Sequence, residues 1–295
     1  MNENVITPQN EKEQTNVLSH RNEFDYTMMS TFLNCRRRYN YRVNRGLVRK
    51  QEPMPFSFGS AIHKALDTWY VAKNLEDALS TFNKNFEEDL ELDTKRTLEM
   101  GNWILKNYHT TYLNEPFKVV ATEQAFDLPL PNGCRFIGRI DKIIDWDGII
   151  WVMDHKTTSE LGQNFHKKAE PNAQFTGYVW AARQLGYPKC AGVLLDAILV
   201  AKGLLKSSSR NRLTPLARFD AYRSQDDLDD WLETVLNIQQ DIRECETLDV
   251  WYPNYDMCTY YGECPFRSVC KEPKDLRERL LELDYRVDHW DPRKE

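Results

Sequence analysis

The sequence predicts an α/β fold, with a sheet-bearing core, an N-terminal helical elaboration and a C-terminal cysteine-rich loop. Three observations carry this. FKVVATEQAFDL (117–128), CRFIGRIDKII (134–144) and GIIWVMDHKTT (148–158) combine alternation with β-branched residues, and so read as three successive strands. Cys190 to Val200 is apolar on both faces, the pattern of a strand covered on each side. Helical spacing dominates before and after these strands, giving the order helices, strands, helix, strand, helix.

Each element has its own signal. Residues 1–22 are polar and aperiodic and read as a disordered tail, leaving one domain over 23–295. A helix is expected over 27–45, with Thr27 or Ser30 as N-cap. Ser60 to Ala72 and Leu75 to Asn114 continue the helical pattern. Pro131-Asn132-Gly133 and Asp147-Gly148 mark turns between the three strands. Pro171 to Leu185 reads as a helix closed by Gly186, and Ala217 to Tyr222 as an additional strand. Asp226 to Glu246 forms an acidic amphipathic helix, and a charged helix follows the cysteine loop.

Composition narrows the function. The 295 residues are 41% hydrophobic and 12% aromatic, too apolar for a disordered chain. No stretch approaches the roughly 18 apolar residues of a membrane span. The N-terminus lacks the basic and apolar regions of a secretory signal, so a cytoplasmic location with reduced thiols is expected. A net charge of −6 argues against a passive nucleic-acid coat protein. It leaves room for a nuclease, whose metal-holding carboxylates add negative charge. Residues 35–50 carry seven positive charges and no acid, with Arg36, Arg37, Arg38 and Arg42 interleaved by Tyr39 and Tyr41. That mixture suits phosphate contact with base stacking on a single strand. Residues 226–249 carry nine acids against one Arg and read as a solvated face.

The chemistry-bearing residues cluster on the predicted strands. Asp141 lies late in the second strand, and Asp154 and Lys156 end the third. If these strands form a hairpin, the two carboxylates approach, and a divalent cation relieves their repulsion. Asp154 and Lys156 are two apart and share a strand face. A Lys beside a metal polarises a water or neutralises charge on a phosphate. Alone, Asp-x-Lys is common on solvated strand edges; here Ile143, Ile144, Trp151 and Val152 make both strands core elements, where charges need partners. His63, on a helix beside Gly59 and Ala61, is either a structural residue or a metal ligand. Gln174 and Tyr178 share one helix face, as surface polarity or as contacts to a substrate or to Lys156.

FGSAIHKAL, GRIDKI, MDHKTT and QFTGY, in this order, resemble the RecB-type nucleases of the PD-(D/E)XK superfamily. The similarity reaches the CRISPR adaptation exonucleases and the AddB-type subunits of bacterial helicase–nucleases. It covers roughly residues 27–272 and implies a restriction-endonuclease-like core, a mixed sheet flanked by helices. It implies His63, Asp141, Asp154 and the backbone carbonyl of His155 as ligands to Mg²⁺ or Mn²⁺, with Lys156 as the catalytic lysine. Gln174 and Tyr178 match the family's Gln-x-x-x-Tyr motif, and Glu123 matches an upstream acid. Ile140 stands where the superfamily's name has Pro, as is usual in RecB-like members.

Cys258, Cys264 and Cys270 are spaced C-x5-C-x5-C, far from Cys35. The spacing is loose for zinc, and buried free thiols are the other reading. In iron–sulfur members of the resembled family, one Cys precedes the nuclease motifs and three follow. The resemblance therefore implies a 4Fe–4S cluster on Cys35, Cys258, Cys264 and Cys270, shielded by Tyr260, Tyr261 and Phe266 and stapling the N-terminal helix to the C-terminus. Several relatives have a C-x2-C pair that this chain lacks. Cys134 and Cys190 read as core residues.

The expected activity is a metal-dependent DNA nuclease, an exonuclease on single-stranded ends, in recombination, repair or CRISPR and phage DNA processing. A helicase, recombinase or CRISPR integration partner, and a phage-encoded origin, are among the expectations the resemblance carries. The rival is a non-catalytic iron–sulfur scaffold that binds DNA ends; an RNA-directed enzyme is a third reading.

Overall fold

The computed structural model describes residues 22–50, 54–91, 93–161, 165–206, 215–260 and 262–293. The expected tail thus lies, apart from Asn22, outside the described residues, as does Tyr261.

The chain opens with β1 (Glu23–Phe24) and α1 (Tyr26–Asn34). Asp25 caps α1, its carboxylate accepting from the Met28 N–H at 2.8 Å, where Thr27 or Ser30 was expected. The expected helix over 27–45 is broken at Cys35, which is extended at φ −166°. Beyond it come α2 (Arg36–Tyr39), a π-helical turn at Asn40–Asn44, and β2 (Leu47–Arg49). Next come α3 (Met54–Ala72), α4 (Leu75–Asn85) and α5 (Leu98–Tyr112). The single helix expected over 75–114 is two, because acids between them favour turns over helix. The Asp93 carboxylate accepts from the Lys95 and Arg96 N–H groups, and Glu88 accepts from Leu98.

The three predicted strands are present as β3 (Lys118–Pro129), β4 (Arg135–Trp146) and β5 (Ile149–Thr158). They are followed by α6 (Ala173–Gln184), β6 (Gly192–Leu199), β7 (Leu216–Tyr222) and α7 (Gln225–Leu248). α8 (Arg267–Lys271), α9 (Lys274–Asp284) and β8 (Tyr285–Val287) complete the C-terminal region. The main sheet runs β1-β4-β5-β6-β7, with β3 on the other edge of β4. β3–β4, β4–β5 and β6–β7 are antiparallel, while β5–β6 and β1–β4 are parallel. This is the mixed α/β architecture that the sequence predicts.

Every residue of β6 is buried, as its two-sided apolar pattern requires. Two apolar clusters hold the helices to the sheet. One joins α1, α6 and α7 through Phe32, Phe175, Trp180 and Trp231. The other joins α3, α4 and α5 through Phe58, Trp69, Phe82 and Ile104. α7 buries Leu228, Trp231, Val235, Ile238 and Ile242 and turns its acids to solvent. Cys134, Cys190 and Cys245 are buried. Among the described residues, no helix is long and apolar enough to cross a membrane.

Candidate active site

The hairpin of β4 and β5 builds the site by coming apart. Its ladder runs from Trp146–Ile149 to Lys142–Met153 and stops. Beyond that point β5 continues against β6 up to Thr158–Leu199, whereas β4 stays with β3 and reaches β1 at Arg135 and Phe136. Asp141 and Asp154 stand at this fork. A side chain replaces the next ladder bond: the His155 N–H donates to Asp141 Oδ2 at 2.9 Å.

An open cavity of about 930 Å³ lies at the fork, lined by His63, Asp67, Glu123, Asp141, Lys156, Gln174 and Tyr178 among others. α3 supplies one wall, and Gly59 lets it lie close, since a Cβ there would meet Thr157 Oγ1 at 3.3 Å. His63 Nδ1 then sits 3.3 Å from Asp141 Oδ2. α6 supplies another wall, where Gln174 Nε2 donates to the Tyr178 hydroxyl at 3.0 Å. Asp154 is buried behind Lys156, whose ammonium lies 2.9 Å from Asp154 Oδ2 and whose side chain is 38% exposed toward the cavity. β3 brings Glu123 opposite Asp141 between the Thr122–Lys142 and Gln124–Ile140 pairs. Glu123 has φ +47° and accepts from Arg139 at 3.0 Å.

The carboxylates are pushed apart in acidity. Burial alone would raise Asp141, but His63, His155, Lys156 and Lys142 outweigh it and hold its pKa down at about 2. At Asp154 burial prevails: Lys156 pulls the pKa down, the Asp141 charge pushes it up, and it rests at about 6. Burial opposes the charge on Lys156, yet Asp154 and Asp141 keep it above the usual lysine range and protonated. Burial and a hydrogen-bonded Asp67 raise Glu123 to about 8, against the pull of Arg139. Such divergence between neighbouring carboxyls is typical of functional sites.

Beneath the cavity lies a buried polar network that the sequence reading missed. The His155 imidazole, fully buried, turns to Asp196 Oδ2 at 2.7 Å, so His155 can face the site with its backbone alone. Asp196 also accepts from the Tyr108 hydroxyl at 2.6 Å and from Arg218 Nε at 3.2 Å. Arg218 Nη1 donates to Glu115 at 2.6 Å, and Tyr70 bonds Tyr108 and Glu115. Buried Lys142 donates to Asp67 at 2.7 Å. Burial lowers the His155 pKa and keeps the ring neutral, while hydrogen bonds hold Asp196 ionised against its burial. Two signals could have found parts of this. Asp67 is four residues from His63 on the same helix face, and Asp196 interrupts an otherwise apolar strand. Arg218 and Glu115 carry no such signal.

The basic segment corrects the sequence reading. Tyr39 packs edge-on to Phe32 and against Trp251, and Tyr41 packs on Phe266, both buried, so neither ring is available to stack a base. The two rings enter different apolar clusters, Tyr39 the one beneath α1 and α7 and Tyr41 the one beside Phe266 and Tyr285. Arg36 lies over the rings of Phe32 and Tyr252, and Arg42 donates to the Asp288 carbonyl at 3.1 Å. Arg45 forms a bidentate pair with Glu278, and Arg49 donates to the Pro265 carbonyl. Much of the basic run therefore ties the N-terminal elements to the C-terminal region, and Arg38 remains partly exposed beside it.

The chain's fold also gathers the distant cysteines. The Cys258 and Cys270 thiols are raised by burial and by the proximity of Cys35 and Cys264. Arg37 hydrogen-bonds Cys270 and tempers its rise. Asn254 N–H donates to Cys35 Sγ at 3.4 Å, and Cys264 N–H to the Cys258 carbonyl at 2.9 Å. All four are half-buried free thiols. Phe266 is buried beside them, but Tyr260 is 67% exposed and does not shield them. Among the described residues, no group of three or more His, Cys, Asp or Glu side chains converges closely enough to hold a metal ion, here or at the fork.

A family model described as the PD-(D/E)XK nuclease superfamily matches residues 24–271. Among solved structures, a protein from Eubacterium rectale described as a candidate exonuclease shares the fold at 13% identity. It has a TM-score of 0.50, with 92% of this chain and 98% of that one covered. SSO0001 aligns at 14% identity and a TM-score of 0.32 over 72% of this chain and 82% of its own, too distant to argue from. No curated protein matches the chain significantly.

Proposed function

The chain belongs to the PD-(D/E)XK nuclease superfamily, and from that premise we propose that the cavity at the β4–β5 fork hydrolyses phosphodiester bonds in DNA, acting on single-stranded ends. The observation that carries this reading is the fork itself. It brings Asp141, Lys156 and His63 together at a cavity large enough for a nucleotide, with Asp154 buried directly behind Lys156.

The donor set suits a hard divalent cation, although its side chains do not converge into a finished cage. Asp141 is ionised at neutral pH, Asp154 ionises near pH 6, and each raises the other's electrostatic cost until a cation offsets it. His63, Asp141, Asp154 and the His155 carbonyl are the groups that would hold Mg²⁺ or Mn²⁺, which when bound polarises the phosphate and lowers the pKa of water. The chain's own residues do the rest. Lys156, held protonated and reaching the cavity, neutralises charge developing on the phosphate. Tyr178, kept protonated by burial and held by Gln174, fixes the wall against which the strand lies. Burial and the neighbouring Asp67 keep Glu123 protonated beside the cavity at neutral pH, which keeps its negative charge off the substrate. Arg36, Arg37, Arg38 and Arg42 supply sequence-independent attraction for phosphates, without the stacking first expected of Tyr39 and Tyr41.

The gathered thiols of Cys35, Cys258, Cys264 and Cys270 support a second element of the proposal, a structural 4Fe–4S cluster of the kind the RecB-like resemblance implies. It would add to the ties already visible, among them the β2–β8 pairing, Arg45–Glu278, Arg42–Asp288 and Arg49–Pro265.

The test is degradation of end-labelled single-stranded DNA by anaerobically purified protein with Mg²⁺, Mn²⁺ or EDTA. Cleavage should need the metal and vanish in Asp154→Ala and Lys156→Ala. Wild-type cleavage rates in either variant would overturn the site; inactivity of a folded, DNA-binding wild-type protein would overturn the nuclease reading.

A further inference from the structure

The C-terminal segment after β8 reaches the main sheet through Arg293 and places a tryptophan in the wall of the fork cavity. Trp290 lines the same cavity as His63, Asp141 and Lys156, yet 52% of its surface is exposed. A large aromatic ring left half-bare in the wall of a charged cavity is not filling a core.

Its position is not that of a fraying terminus. β8 pairs with β2, and the Asp288 N–H donates to the Gly46 carbonyl at 2.7 Å. Gly46, at φ +63°, has no side chain because the His289 ring occupies that space, 2.6 Å from where a Cβ would stand. Three residues past Trp290, Arg293 ion-pairs with Glu23 on β1 at 2.9 Å and with Asp127 on β3 at 2.8 Å. Trp290 is thus held between two fixed points, one on the β2–β8 pair and one on β1 and β3 of the main sheet.

On the nuclease reading above, we infer that Trp290 is a substrate-binding residue, the platform on which an unpaired DNA base stacks to set the adjoining phosphate at the β4–β5 fork. The ring supplies what Tyr39 and Tyr41 cannot, an exposed aromatic face, and supplies it inside the cavity. Stacking is indifferent to base identity, because every base has a π-face. It does discriminate strandedness. A base inside a duplex already has both faces covered by its neighbours, so the platform accepts a base from a single strand or a frayed end.

The test measures binding of a fluorescein-labelled dT12 to the full chain carrying Asp154→Asn, which blocks turnover. A second set of oligonucleotides moves one abasic nucleotide along the strand. Loss of one stacking contact weakens binding on the order of tenfold. One abasic position should therefore weaken binding about tenfold when Trp290 is present and change nothing in Trp290→Ala, with Trp290→Phe restoring part of the sensitivity. Arg293→Ala, which frees the segment, should behave like Trp290→Ala. A structural role for the ring would lower affinity for normal and abasic strands alike. Equal abasic penalties with and without Trp290, or unchanged affinity in Trp290→Ala, would overturn the inference. Metal-dependent cleavage by the wild-type chain, measured in parallel, separates that outcome from failure of the nuclease reading, in which no cleavage occurs even where the strand binds.

Discussion

On the proposed reading Asp154 is both a catalytic group and a stability liability, and Asp154→Asn exposes both. The carboxyl is 1% exposed and its pKa rises from an ordinary 3.8 to about 6. At roughly 1.4 kcal/mol per pH unit, holding it ionised costs the fold on the order of 3 kcal/mol at pH 8. The sign is opposite to that of a salt-bridged Asp. A carboxyl raised in the folded state contributes stability at low pH, which is lost as pH rises from about 4 through 6. Asparagine mimics the neutral acid, keeps an acceptor for Lys156, and leaves that lysine its other neighbour, Asp141. In EDTA at pH 8 the variant should therefore be more stable than wild type by about 1–3 kcal/mol. At pH 4.5 the advantage should fall to about a third of its value at pH 8. Urea unfolding at the two pH values reads both numbers as shifts in midpoint. Added Mn²⁺ should stabilise the wild type and not the variant. A variant no more stable than wild type at pH 8, or an advantage that persists undiminished at pH 4.5, would refute the reasoning.

Other substitutions separate scaffold from chemistry. Asp196→Ala removes the shared acceptor of Tyr108, His155 and Arg218, leaves buried donors unpaired, and should cost about 3–5 kcal/mol in urea unfolding; a loss below about 1 kcal/mol would show the network to be dispensable. Gly192→Ala puts a Cβ 2.2 Å from the Ala221 carbonyl oxygen across the β6–β7 ladder. Backbone cannot yield as a side chain can, so the variant should lose about 1–3 kcal/mol or more, and a wild-type melting temperature would contradict it.

What the sequence made legible was whatever repeats with the period of its element. The strands at 117–158 declared themselves by alternation, and the period of two placed Asp154 and Lys156 together, 2.9 Å apart in the fold. The four-residue helical spacing likewise joined Gln174 to Tyr178. The buried network escaped because its members come from α3, α5, β5, β6 and β7 and the loop at Glu115, each an ordinary residue in its own segment. Tyr39 and Tyr41 were misread for a related reason. Their interleaving with arginines suggested a wet surface, whereas the partners that bury them, Trp251 and Phe266, lie more than two hundred residues away. Trp290 follows a charged helix near the end of the sequence, and distant partners, Gly46 on one side and Glu23 and Asp127 on the other, hold its segment at the cavity.

The division of labour at the fork explains why activity and folding should respond to different residues. Two repelling carboxylates cannot hold each other in place. Their separation is set by where β4 and β5 part, and that is decided by the ladders on their outer edges, β3 on one side and β6 on the other. Asp196 reinforces the choice from below by gripping His155, the residue whose N–H reaches across the fork to Asp141. The energy that fixes the site thus comes from groups that never meet a substrate. Asp154 is then free to be unfavourable for the fold, and a substitution at Asp154 or Lys156 should erase the proposed chemistry and leave the architecture standing, while one at Asp196 or Gly192 should loosen the architecture first and the chemistry with it.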